Sequence, residues 1–255
     1  MSPRVDAFNT TAVLQGTQPM PPGSFLNCLP LAEWSAFVQA WGPDARTYTQ
    51  GEQLPLGPHD GHVYIMLGGC VVQERFSLGA VRNAPRVARF RGVGELLGEA
   101  KLLHPASAVT TVCLSTTWVM PCPVQRVTAL LRRRHLAQTA LLQSLEARFR
   151  SDELIYCTAY RPPVHRVGTL LLHLAVTAGT TDPGEPGPVT IMGPRQKDIA
   201  DALLMGTSTV EKAVRELRGH GVIHSKYRQL VVTDATRLQR ILASGPNPPA
   251  PAPPA

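Results

Sequence analysis

At Pro121 and Pro123 the texture of this chain changes abruptly, and few architectures accommodate the change. Before it, from about Arg46 to Cys122, short apolar runs are broken by glycine and proline. Val63-Tyr64-Ile65-Met66-Leu67 is followed by Gly68-Gly69 and Cys70-Val71-Val72; later come 87–90, 109–114 and 118–120. Valine and threonine suit a pleated backbone, and turn residues at this spacing predict short antiparallel strands closing into a barrel or roll. After it, residues 124–158 hold neither glycine nor proline and predict one or two helices, the second long. Strands and helices in separate blocks make an α+β protein.

Within the helical block, Leu142, Leu145, Phe149, Asp152 and Tyr156 recur at steps of three and four. That is the seam of a helix packed on a partner helix, although a lone amphipathic helix packed on its own domain gives the same pattern. A further helix is predicted over Leu31–Trp41, where Leu31, Trp34, Phe37, Val38 and Trp41 share a face. Pro162-Pro163 ends the long helix and opens another through 164–178; a turn-rich insert (179–188) and a short strand, Val189-Thr190-Ile191, follow. Residues 1–24 read as a flexible arm. Residues 244–255 read as a polyproline-like tail, with six prolines in the eleven residues from Gly245.

Charge divides the chain in the same way. Residues 1–123 carry eight Lys/Arg and eight Asp/Glu, residues 124–170 a net +5, 171–193 a net −2 and 194–255 a net +4. A neutral front and a basic back suggest a sensor or scaffold joined to something that meets an anion, such as nucleic acid. No window approaches the roughly 18 apolar residues of a membrane span, and Met1 to Asp6 lead into no apolar signal region. A soluble, cytosolic, nucleoid-associated protein is expected. The cysteines, Cys28, Cys70, Cys113, Cys122 and Cys157, are odd in number and include no C-x-x-C pair, so idle thiols are expected rather than a disulfide or zinc framework.

The basic end holds the most informative stretch. Residues 195–203 predict a first helix, Leu204-Met205-Gly206 a turn, and 207–218 a second helix. Val210, Val214 and Leu217 would face inward with Ile199 and Leu203, and Thr207, Ser208, Glu211, Lys212 and Arg215 outward. Ser208 with Glu211 three residues later predicts a capping box at the second helix's start. Val222-Ile223 and Leu230-Val231-Val232 predict a hairpin with Ser225-Lys226-Tyr227-Arg228 at its tip, completing a winged helix–turn–helix. A helix fits the major groove with its N-terminal side chains on base edges. Thr207, Ser208 and Thr209 permit close approach, Lys212 suits a guanine edge, and Arg195, Lys226 and Arg228 suit phosphates; Gln196 and Arg215 belong to the same DNA-facing set.

Arg195-Gln196, Ile199-Ala200, Thr209-Val210, Lys212-Ala213-Val214-Arg215-Glu216-Leu217 and Gly221-Val222-Ile223 resemble the DNA-binding domain of the Crp/Fnr family of bacterial transcription regulators. Tyr48-Thr49-Gln50-Gly51-Glu52, residues 63–69 and Gly98-Glu99-Ala100 resemble landmarks of that family's cyclic-nucleotide-binding β-roll. The resemblance covers roughly residues 30–243. It implies a β-roll effector domain at 25–123, a dimerisation helix at 124–160 and a winged helix–turn–helix at 161–243. It also implies a homodimer on a roughly palindromic duplex, with RNA polymerase as a partner. One departure lies in the turn, where the family's glycine is Leu204 and Gly206 comes two positions later.

Members that bind cyclic AMP carry Gly-Glu-x, a spacer and Arg-Ser/Thr-Ala. Here Gly98, Glu99 and Ala100 are present and Ser107-Ala108 fits the end, but Ala106 stands where the arginine belongs, and 101–105 is about two residues short. Lys101 or His104 would have to replace it, without support from their spacing. In the family the dimer helix also meets the ligand, at positions matched by Ser151 and Asp152. Two Asp152 carboxylates across a two-fold axis would repel or demand a partner; otherwise Asp152 points to solvent. Ordinary cyclic AMP binding is not expected, and the pocket is either empty or remodelled for another nucleotide or small molecule. No cofactor is assigned. His59-x-x-His62 lacks a third ligand, so no metal is expected, and no catalytic motif occurs, so no enzyme is expected. A constitutive DNA binder with a structural β-roll, and a protein-interaction scaffold with a vestigial winged helix, are the rival readings.

Overall fold

The computed structural model describes residues 9–75, 87–181, 187–226 and 228–244. The first eight residues, Asp182 and Glu185 of the insert, Tyr227 of the hairpin tip and the tail from 245 lie outside these.

The strand-rich block forms two four-stranded sheets. β1 (Arg46–Tyr48), β8 (Thr117–Pro123), β3 (His62–Gly68) and β6 (Leu96–Leu97) make one; β2 (Gln53–Leu54), β7 (Thr110–Cys113), β4 (Val71–Arg75) and β5 (Val87–Arg91) make the other, each in that spatial order and antiparallel throughout. Alternate residues of a strand face opposite sides, and three cores follow from that rule. Tyr64 and Met66 of β3 point into the roll with Leu54, Leu56, Val71, Leu97, Cys113 and Val119. Val63, Ile65 and Leu67 point the other way, under a layer of helices. On the second sheet Val71 faces in, whereas Val72, Ala88 and Phe90 face out and join the core of the C-terminal part. Every face of β3 is therefore covered, which explains a strand of seven residues without a polar stripe.

The glycine-free block is two helices, α4 (Val124–Arg133) and α5 (His135–Tyr156), separated at Arg134, whose backbone is extended (φ −122°, ψ 91°). Helix α5 buries Ala137, Ala140, Ser144 and Ile155 and leaves Leu142 and Phe149 exposed at 61% and 65%. Helix α6 (Pro163–Ala178) then crosses to the C-terminal part. There β9 (Gly179–Thr180), β10 (Val189–Met192), β11 (Ile223–Lys226) and β12 (Gln229–Val232) form a small sheet around α7 (Gln196–Leu203) and α8 (Thr207–Gly219). The chain's last helix, α9 (Ala235–Ala243), covers α6 and was not foreseen. Neither were the two- and three-residue strands β1, β2, β6 and β9, because so few residues cannot show a period.

The expected arm is folded from residue 9. Asn9 caps a short helix α1 (Thr10–Leu14) by accepting from the Ala12 amide, Val13 is buried, and the Trp34 indole donates to the Val13 carbonyl at 3.0 Å. Its prolines obscured one turn of helix anchored by a single apolar side chain. A second short helix, α2 (Phe25–Cys28), lies beside α5, before the expected α3 (Leu31–Trp41). Among the described residues no helix is long and apolar enough to cross a membrane.

Candidate nucleic-acid interface

Helices α7 and α8 are joined by Leu204-Met205-Gly206. Leu204 ends α7 in the left-handed region (φ 52°, ψ 52°), and the Met205 amide closes the turn on the Ala200 carbonyl at 2.9 Å. A leucine thus takes a conformation that usually calls for glycine, at a cost of about 1–2 kcal/mol. The entry angle of α8 is set by this residue, although its side chain is 68% exposed.

The N-cap of helix α8 lies two residues earlier than the expected capping box places it. Gly206 is its N-cap, there is no side-chain cap, and Ser208 lies in the first turn rather than before it. The expected Ser208–Glu211 capping box is therefore not formed. The backbone decides this: the Leu204 turn places the helix start at Gly206, whose carbonyl takes the Thr209 and Val210 amides at 2.9 and 3.2 Å. The first amides of α8 have no side-chain cap, and a helix N-terminus of this kind suits an anion such as a phosphate.

The inward and outward faces fall where the periodicity put them. Val210, Val214 and Leu217 are buried with Ile199 and Leu203, while Thr207, Ser208, Glu211, Lys212 and Arg215 are exposed and Thr209 is half-buried. The wing strands run through Ser225 and Lys226, so its turn is shorter than expected, with Arg228 at φ 55°. Between α7, α8 and the wing lies a groove of about 480 Å³ whose walls include Arg195, Lys197, Thr207, Ser225, Lys226 and Arg228. Gln196 also lines it, half-buried. Arg195 is held there by Asp198, which accepts from its Nε at 3.1 Å, its Nη2 at 3.2 Å and its backbone amide at 2.8 Å. Lys197 was not singled out from the sequence. Its signal was its place two residues after Arg195, in the first turn of a helix whose N-terminus opens on the groove.

The roll holds a second cavity, of about 690 Å³. Gly98, Glu99, Ala100, Ser107 and Ala108 all line it, with Gly98 left-handed (φ 77°) at the head of a short 3-10 turn. Lys101 does not replace the family's arginine. It is 1% exposed, and its ammonium donates to the Gly57 carbonyl at 2.6 Å and to the Asp60 carbonyl, with the Asp60 carboxylate at 3.6 Å. Its charge is consumed in fastening the 57–60 loop. The Glu99 carboxylate lies 3.2 Å from Arg148 of α5.

Ser151 and Asp152 are not part of that cavity. Asp152 neither faces solvent nor waits for its own copy: it accepts from Arg91 of β5 through both oxygens, at 3.0 and 2.8 Å. Arg91 is 6% exposed. Burial alone would lower its proton affinity, but the bond to Asp152 and the neighbouring Glu95, 3.8 Å away, hold it above the ordinary value. The Arg89 guanidinium carbon lies over the Tyr156 ring, 3.7 Å from its centroid, and burial pushes the Tyr156 hydroxyl up to about 12. Two members of the expected α5 seam, Asp152 and Tyr156, therefore turn to their own roll; Leu142 and Phe149 remain exposed, with Leu145 half-buried between them. Ser151 shares a 3.1 Å hydrogen bond with His173 of α6. At the start of β3, His62 is bonded to Asp60 at 2.9 Å, and among the described residues no three His, Cys, Asp or Glu are grouped as metal ligands.

Residues 165–241 match the family model of the Crp-like helix–turn–helix domain. The fold is shared with a CRP-family transcriptional regulator from Thermus thermophilus at 20% identity, covering 78% of this chain and 97% of that one with a TM-score of 0.60. It is shared also with FixK2 from Bradyrhizobium japonicum (19% identity; 77% and 95% covered; TM-score 0.59). A CRP/FNR-family regulator, again from Thermus thermophilus, matches at 21% identity (79% and 100% covered; TM-score 0.57). No curated protein matches the sequence. Residues 165–241 are therefore a Crp-like helix–turn–helix domain, and the chain as a whole shares the fold of these solved regulators.

Proposed function

We propose that the protein works as a homodimer on a roughly palindromic operator, one α8 in each of two major grooves about one helical turn, roughly 34 Å, apart. In this reading residues 25–123 are the effector domain, 124–160 the dimer helix and 161–243 the reader. Thr207, Ser208, Thr209 and Lys212 meet base edges. Arg195, Gln196, Arg215, Lys226 and Arg228 hold the backbone. The observation that carries it is the groove between α7, α8 and the wing: four cations and the open start of α8 face one concave surface, while the apolar face of α8 is buried. Dimerisation through α5 is supported by the exposed Leu142 and Phe149, large apolar side chains on one stripe of a helix whose opposite face is covered. RNA polymerase is the expected partner of the bound dimer.

The regulator does not take cyclic AMP in the family's usual way. Supporting this, Ala106 replaces the arginine, Lys101 is committed to the 57–60 loop, and Glu99 is paired with Arg148. An effector-independent binder is the second reading, favoured by one observation. The α5 positions that meet ligand in the family are already engaged within this chain, Asp152 by Arg91 and Ser151 by His173.

The test is selection of bound sites from random duplexes, followed by titration of variants. Lys212→Ala and Thr207→Ala should relax base preference by about 1–3 kcal/mol at one position, and Lys226→Ala should weaken all duplexes alike and flatten the salt dependence. Equal, sequence-independent losses from all three would refute the assigned roles.

A further inference from the structure

Arg228, at the tip of the wing, is reached by the roll. Its Nη1 donates to Oε1 of Gln50 at 2.7 Å, across 178 positions of sequence. Gln50 is exposed, but it stands on a fixed corner. Next to it the Gly51 amide donates to the Cys113 carbonyl at 2.8 Å, the Cys113 amide donates to the Glu52 carbonyl at 2.8 Å, and the Glu52 carboxylate accepts from the Thr49 amide. The small sheet that carries the wing meets the roll at a second point, just after β10 and just after β7. A Cβ added to Gly193 would lie 2.5 Å from the Leu114 carbonyl oxygen, and the Gly193 amide donates to the Arg228 carbonyl at 3.3 Å. The backbone contact at 193 and 114 therefore fixes the wing's distance from the roll, and the side-chain contact spans what remains.

From this juxtaposition we infer that Gln50 is a latch on the wing, holding against the effector domain the guanidinium that a DNA backbone would take. The inference rests on the reading that Arg228 contacts phosphate. The amide of Gln50 is a neutral acceptor, and a phosphate is a charged one that makes roughly twice as strong a bond. DNA therefore wins the competition, but binds more weakly than if the arginine were unlatched. The amide bond is nearly indifferent to salt and the phosphate attraction is not, so the latch bites hardest at high ionic strength. Any signal that moves the wing from the 49–52 corner would raise affinity without touching α8.

The experiment is anisotropy titration of a labelled duplex carrying the selected site, with the full chain. Gln50→Ala should tighten binding about three- to tenfold, the equivalent of one modest hydrogen bond. Gln50→Glu should loosen it, because a carboxylate is a stronger acceptor for Arg228. Both substitutions lie on an exposed turn, and both should lose their effect in an Arg228→Ala background, where simple repulsion between the new carboxylate and DNA would persist. If Arg228→Ala weakens binding while Gln50→Ala leaves it unchanged, the latch is overturned and the wing's role stands. If Arg228→Ala changes nothing, the reading of the wing fails, and the latch with it.

Discussion

Removing the Asp152 carboxylate should be among the most damaging single changes to this fold. Arg91 is 6% exposed and gives Asp152 two hydrogen bonds, at 3.0 and 2.8 Å. Bonds to charged groups contribute about 1.5–3 kcal/mol each, and stripping one partner from a buried ion pair costs about 3–5 kcal/mol. In Asp152→Ala the guanidinium keeps its bond to the Phe90 carbonyl, at 3.0 Å, and Glu95 at 3.8 Å. That places the loss at the lower end, about 3 kcal/mol, which in a chain of this size lowers Tm by about 6–12 °C. Urea unfolding followed by circular dichroism measures it. Adding Arg91→Met to Asp152→Ala removes the stranded charge and should recover most of the loss. A loss under about 1 kcal/mol for Asp152→Ala, the value of an exposed pair, would mean that this bridge does not tie α5 to the roll.

Leu204→Gly should stabilise the protein by about 0.5–1 kcal/mol. It relieves the left-handed strain of about 1–2 kcal/mol and loses little contact from a 68% exposed side chain, against the extra entropy that glycine has in the unfolded chain. A lowered denaturant midpoint would contradict this. His173 supplies a pH dependence. Burial first, and then Arg91, lower its pKa from 6.5 to about 4, with Asp152 opposing. Between those values the unfolded chain binds the proton and the folded chain does not, so stability should fall as pH drops from 6.5 towards 4, by at most about 1.4 kcal/mol per pH unit. His173→Gln should flatten that slope, and an unchanged slope in the variant would refute the assignment.

How far the sequence reached depends on the range of the interaction concerned. The winged helix–turn–helix was legible because its determinants are local. Val210, Val214 and Leu217 recur at the helical period, Leu204-Met205-Gly206 interrupts it, and short apolar runs flank a polar hairpin tip. The roll's strands were legible where short apolar and threonine runs stood between turn residues, and invisible in β2 and β6, which have two residues each. The capping box failed on a local detail, because a left-handed leucine fixed the N-cap two residues ahead of the serine.

What the chain's own order of residues determined is a strand-rich block, a long helix and a DNA-reading unit, each dictated by periodicity and turn chemistry within about twenty residues. Only the tertiary structure decided how these parts hold one another. Arg91 lies 61 positions from Asp152, and Gln50 lies 178 from Arg228. No pattern along the chain links them, because a pair of charges or a single hydrogen bond has no period. Lys101 makes the same point: as a residue type it suits a phosphate, but in the folded chain two carbonyls and a carboxylate reach it first.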